Sequence, residues 1–80
     1  MKYVYLLQSI SHPEQRYVGL TSHIENRLAA HNAGHSTHTA KFRPWTLVGY
    51  LAFSDESKAA DFEKYLKSGS GRAFAGKRLW

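Results

Sequence analysis

The sequence predicts an α+β domain with the element order strand, strand, helix, strand, helix, helix, and three observations carry that reading. Residues 2–9, KYVYLLQS, and 16–21, RYVGLT, alternate with the two-residue period of strands. Residues 45–53, WTLVGYLAF, form a β-rich apolar run, and the stretches 23–33 and 54–68 pair helix-cap residues with apolar residues at helical spacing. Eighty residues are too few for two cores, so residues 1–80 read as one small domain.

In the first strand Tyr3, Tyr5 and Leu7 point to one face and Val4, Leu6 and Gln8 to the other, so both faces are expected to be at least partly covered. The polar segment Ser9 to Arg16 contains His12-Pro13, whose fixed proline dihedral suits a turn, and it makes a hairpin of the first two strands. The second strand sets Tyr17, Gly19 and Thr21 on one face, and Gly19 marks a bulge or a place where another backbone or a ligand comes close. Ser22, with Glu25 three residues on, forms a capping box that opens a helix from about His23 to about Ala33, ended by a left-handed Gly34. Arg27 and His31, four apart on that helix, share a face bordering Ile24 and Leu28.

His35 to Pro44 reads as a polar, basic loop with Lys41 and Arg43. The apolar run Trp45 to Phe53 is expected to be a central or well-covered strand. The second helix should begin near Ser54 or Asp55, both good caps, and run to Ser68 before Gly69 stops it. On it Ala59, Phe62 and Leu66 fall at i, i+3 and i+7, and the residue completing the stripe at i+4 is Glu63, a carboxylate on a face expected to be buried. Gly69 to Arg72 reads as a flexible break after which Ser70 caps a short helix holding Ala73, Phe74 and Leu79.

Eleven Lys and Arg against six Asp and Glu give a net charge of +5, which points to an anionic partner, nucleic acid before others. The charge is also asymmetric: Lys64, Lys67, Arg72, Lys77 and Arg78 follow one another with no acidic residue among them. There is no cysteine, which excludes disulfides and a thiolate zinc site. No apolar run reaches the length of a membrane span and the N-terminus lacks a signal-peptide pattern, so the expected location is the cytoplasm and no membrane partner is expected.

Several of these residues together resemble the GIY-YIG nuclease family: Tyr3-Val4-Tyr5, Tyr17-Val18-Gly19, Thr21, Arg27, His31, Asn32 and Gly34, Arg43-Pro44-Trp45, and Phe62-Glu63. The similarity spans nearly the whole chain. Leu66 to Arg72 also resembles the small stand-alone branch related to the N-terminal nuclease domain of the excinuclease C subunit. Tyr3 stands where the first motif has glycine, and Val4 and Val18 stand for the isoleucines of the two motifs. The resemblance implies a three-stranded antiparallel sheet flanked by about three helices, with the first strand in the middle. It further implies an endonuclease that hydrolyses phosphodiester bonds of DNA with Mg2+ or Mn2+, in repair or recombination, as a monomer by default.

By the same resemblance Glu63 is the one protein ligand of the ion, Arg27 holds the scissile phosphate, and Tyr17 or Tyr5 positions or deprotonates the attacking water. His31 bonds a tyrosine hydroxyl or relays its proton, and Lys41, Arg43, Lys67 and Arg72 contact the nucleic-acid backbone. These types suit the chemistry, which needs an activated water, positive charge on the phosphoryl oxygens and a stabilised leaving oxygen. A free phenol titrates near about 10, so a tyrosine in such a role must be polarised by its surroundings. Convergence of Tyr5, Tyr17, Arg27, His31 and Glu63 requires both long helices to lie on the tyrosine face. Taken singly, each has a plain structural reading; Glu63, for one, can pair with Lys67 at i+4. Two other functions stay open: a non-catalytic nucleic-acid-binding module, and a metal site built from His31, His35 and His38.

Overall fold

The computed structural model describes all 80 residues. In chain order the elements are β1 (Lys2–Ser9), β2 (Arg16–Thr21), α1 (Ile24–Asn32), α2 (Thr37–Ala40), β3 (Trp45–Phe53), α3 (Glu56–Leu66) and α4 (Gly69–Arg78). The α+β order read from the sequence is found, with four helices rather than three. The addition, α2, is a single turn inside the segment read as loop, and four residues are too short to display a helical repeat. No helix is long and apolar enough to cross a membrane.

The strands form one antiparallel sheet in the order β2-β1-β3. The middle place of β1 follows from its composition: Val4, Tyr5, Leu6 and Leu7 are all buried, so consecutive side chains are covered on both faces. β3, expected to be central or well covered from its apolar run, is an edge strand whose Thr46, Val48, Tyr50 and Ala52 are exposed. Its register steps from Leu6↔Gly49 to Leu7↔Leu47, which leaves Val48 as an unpaired bulge residue. The apolar run therefore reported a half-covered edge interrupted by a bulge.

The core of the single domain is split by the sheet into two hydrophobic clusters, one on each face of β1. Val4 packs with Ala59 and Leu66 of α3 and Ala75 of α4, and Tyr5 and Leu7 pack with Trp45, Ile24 and Leu28 under α1. The helices α1 and α3 thus lie on opposite faces, so the condition for Glu63 to converge with the tyrosines, both helices on the tyrosine face, is not met. The reason is the two-residue period of β1, which sends Val4 and Tyr5 opposite ways.

The helix ends show how local sequence was used. The capping box of Ser22 and Glu25 does not form; the N-cap is His23, whose N–H donates to Thr21 Oγ1 at 3.1 Å. Gly34 closes α1 with φ +83°, as its position suggested. Asp55 caps α3 by accepting from the N–H groups of Ser57 and Lys58. At α4 the cap is Ser68, not Ser70: its hydroxyl accepts from the N–H of Gly71, so Gly69 to Arg72 is helix rather than a flexible break. The final helix consequently buries Gly71 and Ala75 and leaves Ala73 and Phe74 exposed. Gly71 is needed because a Cβ there would overlap the backbone carbonyl of Tyr65 at the end of α3. Gly71→Ala should lower the urea midpoint by the equivalent of about 1–3 kcal/mol. Gly76→Ala on the same helix, where an added Cβ meets only open space, should instead be neutral or stabilising by about 0.5–1 kcal/mol.

Candidate active site

Tyr5 on β1 is paired with Gly19 on β2, and the missing side chain at Gly19 is what lets the Tyr5 phenol lie across β2. A Cβ at Gly19 would overlap the phenol, whose Cε1 lies 2.7 Å from that position. The expected close approach is therefore real, but it is made by Tyr5 itself and not by a bulge, a second backbone or a ligand. From that position the Tyr5 hydroxyl lies 3.0 Å from His31 Nε2 and accepts from Arg27 Nε at 3.4 Å. Arg27 and His31 reach it together because their i, i+4 spacing stacks them on the face of α1 turned to the sheet. Tyr17, two residues from Gly19 on the same face of β2, sets its ring edge-on to His31 with centroids 5.0 Å apart. Four of the five catalytic candidates are thereby brought together. Tyr5 and His31 are buried, at 1% and 2% exposure, Tyr17 is half-buried and Arg27 is exposed.

A fifth side chain joins them that sequence reasoning missed. Thr39, on the short α2, is 2% exposed and places its Oγ1 2.8 Å from His31 Nδ1. It is held there by its neighbours: the Thr39 carbonyl accepts from Trp45 Nε1 at 2.9 Å. The Asn32 side chain in turn accepts from the Trp45 N–H at 2.6 Å and donates to the Trp45 carbonyl at 3.1 Å, acting as an extra strand partner at the start of β3. Nothing in residue spacing marked Thr39, since its segment carries no repeat; the one available signal was that Asn32 and Trp45 are both motif positions.

A groove of about 990 Å³ runs round the outer edge of β2. Tyr17, Thr39 and Lys41 line its α1 side, Lys67, Arg72 and Trp80 line its α3–α4 side, and Arg16 lies between, its guanidinium 5.0 Å from the centre of the Trp80 ring. Glu14 is the single acidic residue in the lining. Of the four residues expected to contact a nucleic-acid backbone, Lys41, Lys67 and Arg72 thus face one groove. Arg43 does not; its guanidinium packs on Gly34, where the absence of a side chain leaves room for it.

Glu63 stands apart from the tyrosines. Its side chain is 17% exposed and ion-paired with Lys67 Nζ at 2.5 Å, the i+4 pair that its spacing allowed. It makes no polar contact with Tyr5, Tyr17, Arg27 or His31, because α3 turns its Ala59 and Leu66 stripe to the opposite face of β1. The link between the two halves is the groove: Lys67, bonded to Glu63, lines the same cleft as Tyr17 and Thr39.

A family model described as the GIY-YIG catalytic domain matches residues 1–77. The chain belongs to the GIY-YIG family. No curated protein matches the chain. Membership makes the domain one of nuclease type, with nucleic acid as its substrate. The matched span takes in β1 through most of α4, so every candidate residue of this GIY-YIG domain falls inside it. Tyr3, where the family has glycine, is accommodated away from the network: its ring meets Tyr50 edge-on at 5.7 Å beside a smaller cavity.

The electrostatics of the GIY-YIG network follow from its burial. Desolvation raises the Tyr5 pKa above that of a free phenol, opposed in part by the hydrogen bond from Arg27. Desolvation, and after it the Arg27 charge, lowers that of His31. The hydrogen bond to Tyr5 raises that of Arg27. At neutral pH the domain thus holds a neutral phenol and a neutral imidazole beneath a charged guanidinium. His31 has both ring nitrogens engaged by Tyr5 and Thr39, and no three His, Asp or Glu side chains come together to hold a metal. This overturns the reading of His31, His35 and His38 as a metal site.

Because the folded pKa of His31 is depressed, its contribution to stability is present above the ordinary imidazole value of about 6.5 and is lost as pH falls from there toward the folded value. The melting temperature should therefore decline between about pH 7 and about pH 5. His31→Gln, which cannot take a proton in this range, should melt lower at neutral pH but with a flatter slope over that window.

Proposed function

We propose that this domain is a divalent-metal-dependent endonuclease that hydrolyses phosphodiester bonds of DNA. The observation that carries the reading is a buried tyrosine–histidine pair holding an exposed arginine, with Tyr17 and Thr39 joining that pair to the wall of a cationic groove. Arg27 uses its Nε on Tyr5 and its side chain is exposed beside Tyr17, so its fork of N–H donors is available to the non-bridging oxygens of a phosphate. Tyr5, buried and bonded on two sides, serves as a positioning residue for Arg27. Tyr17, half-buried and lining the groove, is in this reading the tyrosine that meets the attacking water, and its access to the groove supports that choice over Tyr5.

The family implies a metal ion, and the residues fit a hard cation in one respect. Glu63 is a half-buried carboxylate whose one polar partner is an exposed lysine, and Mg2+ and Mn2+ are satisfied by one or two carboxylates with water filling the remaining positions. In this reading Glu63 would hold the ion once Lys67 releases it, and the bound ion would supply positive charge to the phosphate and the leaving oxygen. Lys67, freed, stays in the groove as a backbone contact beside Arg72.

The deciding assay is incubation with labelled single-stranded, duplex and branched DNA in Mg2+, in Mn2+ and in chelator. Nicked product with either ion and none with chelator is expected. Binding without cutting under every condition would leave a non-catalytic nucleic-acid module instead. Arg27→Ala should lower the cleavage rate about 100-fold to 1,000-fold with little change in melting temperature; equal losses would make the arginine structural. Glu63→Gln should abolish metal-dependent cutting and the calorimetric signal of Mn2+ binding while the fold persists. Four cationic side chains in the groove should make affinity for DNA fall roughly 50-fold to 150-fold between about 50 and about 200 mM salt.

A further inference from the structure

The hydrogen bonds of the buried network have a direction. Arg27 can only donate, so the Tyr5 oxygen accepts from it, and the phenol's own proton then has His31 Nε2, at 3.0 Å, as its bonded acceptor. A neutral imidazole that accepts at Nε2 must carry its proton on Nδ1, and the atom there to receive it is Thr39 Oγ1 at 2.8 Å. Thr39 is itself buried, at 2% exposure, on a segment that lines the groove, so the chain of hydrogen bonds ends at the groove wall.

We propose that Thr39 is a positioning residue of the active site. It fixes His31 as the Nδ1–H tautomer and so directs one chain of donors from Arg27 through Tyr5 and His31 to the groove. The chain has a purpose at each end. At the Arg27 end, a phenol whose proton is committed to His31 offers its lone pair to the guanidinium and holds it in place. At the Thr39 end, the Nδ1–H rests on the hydroxyl oxygen, so both nitrogens of the buried neutral imidazole are paired and the ring is held in one orientation. Without the Thr39 hydroxyl, the buried Nδ1–H would have no acceptor, at a cost of about 1–3 kcal/mol. The imidazole escapes that cost by moving its proton to Nε2, where it confronts the Tyr5 oxygen already occupied by Arg27.

Thr39 stands on α2, the one helix absent from the sequence reading, and its backbone is locked by Trp45 Nε1 and through Trp45 by Asn32. The conserved-shape change Thr39→Val removes only the hydroxyl, and Thr39→Ser keeps it while removing a methyl group.

The functional half of this inference rests on the nuclease reading above, but the tautomer does not, and the experiment separates them. Ring 15N–1H correlation spectra at neutral pH, without nucleic acid, report the tautomer of His31, assigned by its disappearance in His31→Gln. Wild type and Thr39→Ser should show Nδ1–H alone, and Thr39→Val should shift to Nε2–H or to a mixture. In the cleavage assay Thr39→Val should lose about 10-fold to 100-fold, and Thr39→Ser should stay within about threefold of wild type. An Nε2–H signal in wild type overturns the proposal, as does a Thr39→Val spectrum unchanged from wild type or a serine variant as impaired as the valine one. If wild type cuts no nucleic acid, the nuclease reading fails while the ring spectra still decide the tautomer.

Discussion

The structure depends on one close approach, the Tyr5 phenol lying across Gly19. A tyrosine in the middle of a central strand must put a polar hydroxyl somewhere, and a hydroxyl left without a partner in a core costs about 1–3 kcal/mol. Here the glycine on the paired strand lets the ring lean over β2 until its oxygen emerges under α1 between Arg27 and His31. The same contact fixes where α1 sits, because Arg27 and His31 reach that oxygen from a single helical face. Every buried side-chain nitrogen and oxygen in the domain has a hydrogen-bond partner, so the network is complete and not a scatter of tolerated polar atoms.

A network of this kind transmits position. His31 holds Tyr5, Thr39 holds His31, and Thr39 is held by the indole of Trp45, whose backbone is in turn gripped by the side chain of Asn32 at the end of α1. The chain of contacts closes on itself, from α1 through α2 and β3 back to α1. This rigidity stands next to a surface with few constraints: the groove beyond Tyr17 is lined by long cationic side chains, which adapt to a phosphate backbone at little cost. A rigid interior behind an adaptable cationic face suits a protein that must place one phosphate accurately while gripping its neighbours loosely.

Glu63 shows how a sandwiched sheet divides a site. It belongs to the helix on the far face and meets the tyrosine side only across the edge of β2, through Lys67. The edge strand is therefore the place where the two halves come within reach of one substrate, and a strand of nucleic acid lying along the groove would touch both. The ion pair with Lys67 keeps the half-buried carboxylate compensated, since a lone carboxylate at 17% exposure would lose hydration without return.

Sequence alone determined the elements whose residues carry their own periodicity: β1 and β2, the hairpin between them, α1 with its Gly34 stop, α3 with its Asp55 cap, and the i, i+4 pairing of Arg27 with His31. It also carried the family, because the motif residues lie at fixed spacings along the chain. Tertiary structure decided what periodicity cannot encode. The edge position of β3 depends on which strand β1 pairs with on its second side, and the apolar content of Trp45 to Phe53 is the same for either place. The helical state of Gly69 to Arg72 depends on the Tyr65 carbonyl that Gly71 must pass, and the role of Thr39 depends on a histidine eight residues away turning its ring toward it. The separation of Glu63 from the tyrosines follows from α3 choosing the Val4 face of β1. A strand fixes that two faces exist and which side chains share one, but only packing assigns a helix to each.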